Sequence, residues 1–134
     1  MASVIIPTMR YRDAAAMIDW LCEVFGFDRN LIVADGSSGI AHAQLTLGGA
    51  MIMLGSMRDD EFGRLQVPAD PGQPVNQSAY IVVSDPDRVY ERAKAAGAVI
   101  VYDIRDEDYG GRGFSCRDPE GQLWNVGSYD PWLD

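Results

Sequence analysis

The sequence predicts an α+β fold built from two tandem βαβββ modules. The chain has 134 residues and is 47% hydrophobic, which is the size and composition of one ordinary domain with a packed core. Two helical segments with acidic N-caps begin at Asp13 and Asp85, 72 positions apart. Glycines repeat the same spacing: Gly49 with Gly121 and Gly55 with Gly127 are 72 apart, and Gly26 with Gly97, the predicted helix ends, are 71 apart.

The first module, residues 3–56, is predicted as a strand, a helix and three further strands. Asp13 caps the helix from Ala14 to Phe25, whose apolar residues recur at helical spacing, and Gly26 follows its end. Gly48-Gly49 fits a two-residue hairpin turn. The predicted strands run from Val4 to Arg10, Leu31 to Ala34, Ile40 to Leu47 and Ala50 to Leu54.

The second module, residues 77–129, repeats this order. Its helix has Pro86 at the first position and Gly97 just past the end. A polar linker, residues 57–76, separates the modules, and we expect residues 1–134 to form a single domain. The strands run from Ala79 to Val83, Val99 to Ile104, Gly113 to Arg117 and Gln122 to Gly127, with a turn at Asp118-Pro119-Glu120-Gly121.

Charge and composition exclude several classes of partner. Twenty acidic residues against eleven Lys and Arg give a net charge of −9, which disfavours nucleic acid. No apolar run is long enough for a membrane helix and the N-terminus lacks a secretory signal, so we expect a cytoplasmic protein without a membrane partner. Two cysteines are too few for a disulfide scaffold or a zinc cluster.

Two motifs in the second module carry a family resemblance. They are Tyr109-Gly110-Gly111-Arg112-Gly113-Phe114 and Asp118-Pro119-Glu120-Gly121-Gln122-Leu123-Trp124. With the module order, they resemble the vicinal oxygen chelate superfamily of glyoxalases, bleomycin resistance proteins and extradiol dioxygenases. The resemblance implies a half-barrel around a central pocket, with the helices outside. It also implies a homodimer, swapped or unswapped through the linker.

The same resemblance bears on metal binding. The positions that hold a divalent metal in relatives fall near Ile6, Gln44, Ala79 and Asn125. Two of these are apolar and two are neutral amides, whereas a divalent ion needs at least three good donors. We therefore expect no metal and no cofactor, with a weak site at His42, Gln44 and Asn125 as the alternative.

Strand alternation then predicts which side chains line the pocket. With Gln44 and Asn125 inward, the 72-residue register places Phe114 and Cys116 opposite His42 and Gln44, and Trp124 under a helix. Arg112 points inward or to the rim, or else clamps Asp106 or Asp108. The predicted ligand-binding residues are Thr8, His42, Gln44, Met51, Met53, Arg112, Phe114, Cys116, Leu123 and Asn125.

Three functions fit this pattern. The first is a metal-free binding protein of the bleomycin resistance type, taking a cationic or neutral small molecule, a drug or a metabolite. The second is a glyoxalase-like lyase or isomerase with His42 as general base. The single histidine disfavours a dioxygenase. The third is an accessory dimer without a ligand, and the aromatic tail from Tyr129 is expected to dock on a second subunit.

Overall fold

The fold contains two four-stranded sheets, each with one α-helix, in the order βαβββ repeated twice. This computed structural model describes residues 2–133, so the two end residues of the predicted domain lie outside the described part. The tandem modules predicted from the repeat are confirmed. The chain divides into two compact units between Ala69 and Asp70, inside the predicted linker.

In the first unit the strand order is β1-β4-β3-β2. Strand β1 runs parallel to β4, and the other neighbours are antiparallel. A single 3₁₀ turn, Phe62–Arg64, follows the last strand. The elements are β1 (Thr8–Tyr11), α1 (Ala14–Phe25), β2 (Asp28–Ala34), β3 (Ile40–Leu47) and β4 (Ala50–Ser56).

The second unit has the equivalent strand order, β5-β8-β7-β6. Strand β5 is parallel to β8 and the remaining pairs are antiparallel. The elements are β5 (Ala79–Val82), α2 (Pro86–Ala95), β6 (Val99–Asp106), β7 (Arg112–Arg117) and β8 (Leu123–Gly127). Within residues 2–133, neither helix is long and apolar enough to cross a membrane.

Both helices begin as the sequence predicts. The Asp13 carboxylate accepts a hydrogen bond from the Ala16 amide at 3.1 Å, and Asp85 accepts one from the Arg88 amide at 3.2 Å. Each satisfies an amide that has no partner inside the helix. Helix α1 ends at Gly26, whose φ of 87° is a left-handed conformation that glycine adopts without strain.

Each helix covers one face of its own sheet. In the second unit the Tyr90 ring of α2 packs edge-on against Phe114 of β7, with ring centroids 5.2 Å apart. Trp124 and Val126 of β8 are buried on the same side. The prediction that Trp124 packs under a helix is therefore confirmed.

The Asp-Pro-Glu-Gly turn is held by a buried carboxylate. Asp118 is 2% exposed, and its oxygens accept hydrogen bonds from the Glu120 and Gln122 amides and from Trp124 Nε1, all at 3.0 Å. The carboxylate thus ties the turn to the core tryptophan. This explains why an aspartate and a tryptophan occur at this spacing.

The first strand is shorter than predicted. Strand β1 begins at Thr8, not Val4, because Pro7 has no amide hydrogen for the ladder and only its carbonyl accepts, from the Met53 amide at 3.0 Å. Strand β2 starts earlier than predicted, at Asp28, since Asp28 and Arg29 pair with β3 although they are polar. The other strand limits agree with prediction to within two residues.

Candidate ligand-binding site

Each sheet has one face that its own helix does not cover, which we call the open face. In the first unit the predicted pocket residues of β3 and β4 do share this face: their side chains are half-buried and alternate with buried neighbours. Thr8 joins them because it pairs with Met53 on the adjacent parallel strand. The predicted pocket residues on the open face of the first unit are Thr8, His42, Gln44, Met51 and Met53.

His42 lies next to an amide. Its Nε2 atom is 3.1 Å from Gln44 Nε2. An amide nitrogen donates, so in this arrangement the His42 ring nitrogen accepts from Gln44. The predicted catalytic role of His42 stays a prediction.

In the second unit, Phe114 and Cys116 point away from the open face, contrary to the prediction. Phe114 is 4% exposed and Cys116 is fully buried, on the side where α2 packs. Burial raises the pKa of the Cys116 thiol to about 12. Cys116 is therefore not placed to meet a ligand on the open face, whereas Phe114 is one of the residues that line the concavity described below.

The reason is a one-residue difference between the two hairpins. Gln44 pairs with Met53, whereas Ser115 pairs with Asn125, so the second hairpin holds one more residue. The offset between modules is therefore 72 on β8 but 71 on β7. Since a shift of one residue turns every side chain of a strand over, Ser115 takes the place predicted for Cys116.

Arg112 also lies on the helix side of its strand. Its Nε donates to Asp87 Oδ2 at 2.9 Å in the first turn of α2, and its Nη1 donates to Asp106 at 3.3 Å. The hydrogen bonds to Asp87 are the main reason that the pKa of Arg112 is raised. The clamp on Asp106 that the sequence offered as an alternative is therefore present, with Asp87 as an unpredicted second partner, and Arg112 also lines the concavity of this unit.

A concavity of about 380 Å³ lies on the open face of the second unit. Its floor is formed by the central strands β7 and β8, with Ser115 and Asn125 side by side. Four tyrosines surround this floor, and the most exposed, Tyr102 and Tyr109, form the rim at 59% and 63% exposure. The tyrosines are Tyr80, Tyr102, Tyr109 and Tyr129.

Three of the four tyrosines, which together we call the tyrosine wall, contact one another. The Tyr80 hydroxyl donates to the Tyr129 carbonyl at 2.7 Å, and the Tyr129 ring meets Tyr109 edge-on at 5.1 Å between centroids. Gly127 leaves room for Tyr80, since a Cβ there would lie 2.7 Å from the hydroxyl oxygen. Gly111 allows the β6–β7 hairpin to approach the segment that follows β8, since a Cβ at position 111 would lie 2.6 Å from the Tyr129 amide nitrogen.

The polar floor is internally hydrogen-bonded. Asn125 Nδ2 donates to Ser78 Oγ at 2.9 Å and to the Ala79 carbonyl at 3.2 Å. Ser115 Oγ donates to Asn125 Oδ1 at 2.8 Å. Because a carbonyl can only accept, the Ala79 contact fixes the amide with its nitrogen toward β5 and its oxygen toward Ser115.

These residues do not fit a divalent metal. Ser78, Ser115 and Asn125 are uncharged and bonded to one another, and Ala79 pairs with Trp124, so its side chain lies on the helix side. Across residues 2–133, no group of three His, Cys, Asp or Glu side chains gathers in a metal-binding arrangement. A divalent ion favours anionic or imidazole donors that this position does not offer.

Charges at the rim are paired. Arg105 Nε lies 3.3 Å from Glu107 Oε1, and the Arg105 guanidinium lies 5.4 Å from the centre of the Tyr102 ring. Together with Arg112, which pairs with Asp87 and Asp106, two guanidiniums near the concavity therefore pair with three carboxylates. Burial and neighbouring phenols and carboxylates raise the pKa of Tyr80, so its hydroxyl stays protonated at neutral pH.

Of the residues that line the concavity, sequence reasoning named Arg112, Phe114 and Asn125 but missed the four tyrosines. Tyr80 stands 72 positions after Thr8, so the register that placed Thr8 on the open face also places Tyr80 there. Tyr109 and Tyr129 lie outside the strands, where the alternation of side chains predicts nothing. Tyr129 lines the concavity, whereas the segment that begins with it was expected to dock on a second subunit. Leu123, predicted in the pocket, is half-buried on β8 but outside the lining.

A sequence model of the glyoxalase/bleomycin resistance protein/dioxygenase superfamily matches residues 5–126. The chain belongs to this superfamily. An uncharacterised protein of Mycobacterium bovis is 30% identical over 126 residues, which cover 90% of this chain and 80% of the relative. The family predicted from the two motifs is therefore confirmed.

Two solved structures share the fold of this chain. TioX from Micromonospora sp. ML1 is 31% identical, with a TM-score of 0.72 over 94% of this chain and 98% of that one. The fosfomycin resistance protein FosX from Listeria monocytogenes, solved with Mn(II) and a dihydroxypropylphosphonic acid, has a TM-score of 0.69 at 16% identity. That alignment covers 99% of this chain and 97% of FosX and shows a shared fold.

Proposed function

We propose that this superfamily member is a metal-independent binding protein for a small organic molecule, held in the concavity of the second unit. The observation that carries the proposal is the combination of a cavity of about 380 Å³, four tyrosines and a small hydrogen-bonded polar floor. Binding sites for small molecules are concave, rich in apolar and aromatic surface, and contain few polar groups. A ligand of drug or metabolite size fits this volume.

The charge distribution supports a cationic or neutral ligand. The chain carries a net charge of −9, which raises the local concentration of cations and lowers that of anions. Tyrosine faces attract cations through their negative π surface, at about 0.5–2 kcal/mol per favourable contact. Around the concavity the guanidiniums of Arg105 and Arg112 pair with the carboxylates of Glu107, Asp87 and Asp106, which leaves one negative charge in excess.

Calorimetric titration of protein treated with a chelator tests the proposal. We expect planar aromatic cations or cationic glycopeptides to bind one per chain, with an affinity that chelation leaves unchanged. Replacing Tyr109 by leucine removes an aromatic face from the rim without touching the sheet, and we expect it to weaken binding several-fold. Exposed Tyr102→Leu on β6 tests the opposite rim. Binding that requires an added divalent metal would contradict the proposal.

We also propose that the chain works as a homodimer. Strand β2 lies at the edge of its sheet and exposes Leu31, Ile32 and Val33 at 45%, 38% and 43%. Exposed apolar edge strands invite pairing with another chain. Analytical ultracentrifugation is expected to give twice the chain mass, and Ile32→Lys is expected to shift it toward the monomer. A wild-type monomer at all concentrations would refute this.

A further inference from the structure

We infer that the ligand of the proposed site is an aromatic cation that carries N–H donors, because the floor of the concavity offers only hydrogen-bond acceptors. This inference rests on the proposed function and specifies its ligand class. It follows from the acceptors to which three side chains donate their polar hydrogen atoms. These are Asn125, Ser115 and Tyr80, all on the open face of the second unit.

Asn125 has no donor left for a ligand. Both hydrogens of its amide nitrogen are directed to protein acceptors, Ser78 Oγ and the Ala79 carbonyl. Its oxygen accepts one hydrogen bond from Ser115, which leaves one of two lone pairs. The amide therefore presents an acceptor toward the concavity.

Ser115 and Tyr80 likewise have no hydroxyl hydrogen left to donate to a ligand. The Ser115 hydroxyl hydrogen is used in the bond to Asn125 Oδ1, and the Tyr80 hydroxyl hydrogen in the bond to the Tyr129 carbonyl. Each hydroxyl oxygen keeps lone pairs that can accept. The raised pKa of Tyr80 means that it acts as a neutral acceptor and not as a phenolate at neutral pH.

An acceptor floor discriminates between ligand classes. A carboxylate, phosphate or carbonyl placed on it meets lone pairs and loses its own hydration without replacement. An ammonium or amidinium N–H meets acceptors and gains charge-assisted hydrogen bonds. The charged donors of the lining are the Arg105 and Arg112 side chains, and the carboxylates of Glu107, Asp87 and Asp106 already pair them.

Three planar probes that share one ring system separate these possibilities. 9-Aminoacridinium is a cation with N–H donors, 10-methylacridinium is a cation without them, and acridine-9-carboxylate is an anion. We expect 9-aminoacridinium to bind at least about tenfold more tightly than 10-methylacridinium, the effect of one good hydrogen bond to a charged group. Acridine-9-carboxylate is expected to bind most weakly.

Variants locate the effect on the floor. Ser115→Ala replaces the Oγ acceptor by a methyl group and frees one lone pair on Asn125 Oδ1, so the acceptors of the floor change position. We expect 9-aminoacridinium to bind about three- to tenfold more weakly, with little change for 10-methylacridinium. Tyr80→Phe removes another acceptor and serves as a second variant if Ser115→Ala fails to fold. Ser37→Ala, in an exposed turn of the first unit, is the matched control and should change neither affinity.

The outcomes distinguish this inference from the proposed function. Equal affinity of the two cations, or tighter binding of the carboxylate, would overturn the donor requirement while leaving a binding site in place. The same holds if Ser115→Ala and Tyr80→Phe weaken both cations equally. Failure of all three probes to bind would overturn the proposed site together with the inference.

Discussion

Gly127 is the position where a single methyl group tests the geometry of the tyrosine wall. In Gly127→Ala the new Cβ would lie 2.7 Å from the Tyr80 hydroxyl oxygen, so the phenol must move by about 0.7 Å to reach an ordinary contact of 3.4 Å. That movement stretches the 2.7 Å hydrogen bond to the Tyr129 carbonyl beyond good geometry. The lost bond costs about 1 kcal/mol of folding free energy.

A double-mutant cycle isolates this contact. Tyr80→Phe alone removes the same hydrogen bond, also at about 1 kcal/mol. In its background the nearest phenyl carbon would be 3.3 Å from the new Cβ, which a small shift relieves. Gly127→Ala should then cost little more, which gives a coupling energy of about 1 kcal/mol between the two positions.

Urea unfolding of the wild type, Gly127→Ala, Tyr80→Phe and the double variant measures the coupling energy. Titration of the same proteins with 9-aminoacridinium measures the effect on ligand binding in the concavity. Gly49→Ala is the matched control, because a Cβ there meets no heavy atom within 4 Å, and it should change stability by less than about 0.5 kcal/mol. Additive costs of Gly127→Ala and Tyr80→Phe would show that Tyr80 does not lie over Gly127, and the reasoning about the wall would be wrong.

Three further predictions follow from the buried polar and sulfur groups. Asp118→Ala leaves the buried Trp124 Nε1 and the Gln122 amide without their acceptor, so we expect a loss of about 3 kcal/mol in urea unfolding; a loss below 1 kcal/mol would contradict that role. A thiol reagent should modify the half-buried Cys22 but not the fully buried Cys116 in the native protein, and both in urea; two reactive native thiols would contradict the face assigned to β7. Because the pKa of Cys116 is raised to about 12 on folding, its contribution to stability is complete below its unfolded pKa of about 8.5 and declines at about 1.4 kcal/mol per pH unit above it; Cys116→Ala should remove that part of the alkaline decline, and an unchanged slope would refute it.

The fold could be predicted because its signals are local and repeated. Asp13 and Asp85 cap the two helices as expected, and the glycine spacing revealed the duplication before any strand was assigned. The limits of β1 and β2 depended on pairing partners elsewhere in the chain, so local sequence could not fix them. Family membership followed from the same residues.

The candidate site was predictable only in part, because it depends on one residue in a hairpin. Asn125, Arg112 and Phe114 line the concavity as predicted, but the 72-residue register assigned the side chains of Phe114 and Cys116 to the wrong face of the sheet. The 71-residue spacing of Gly26 and Gly97 equals the offset that relates β3 to β7. Tyr109 and Tyr129 reach the concavity from a hairpin and from the segment after β8, where no periodicity applies.

Amide chemical-shift mapping with 9-aminoacridinium, on isotope-labelled protein in the presence of a chelator, tests most directly whether the second unit takes a small ligand without metal. We expect the largest shifts on the floor strands, at Gly113, Ser115, Asn125 and Gly127. Shifts centred on the first sheet, or shifts that appear only after a divalent metal is added, would contradict the account.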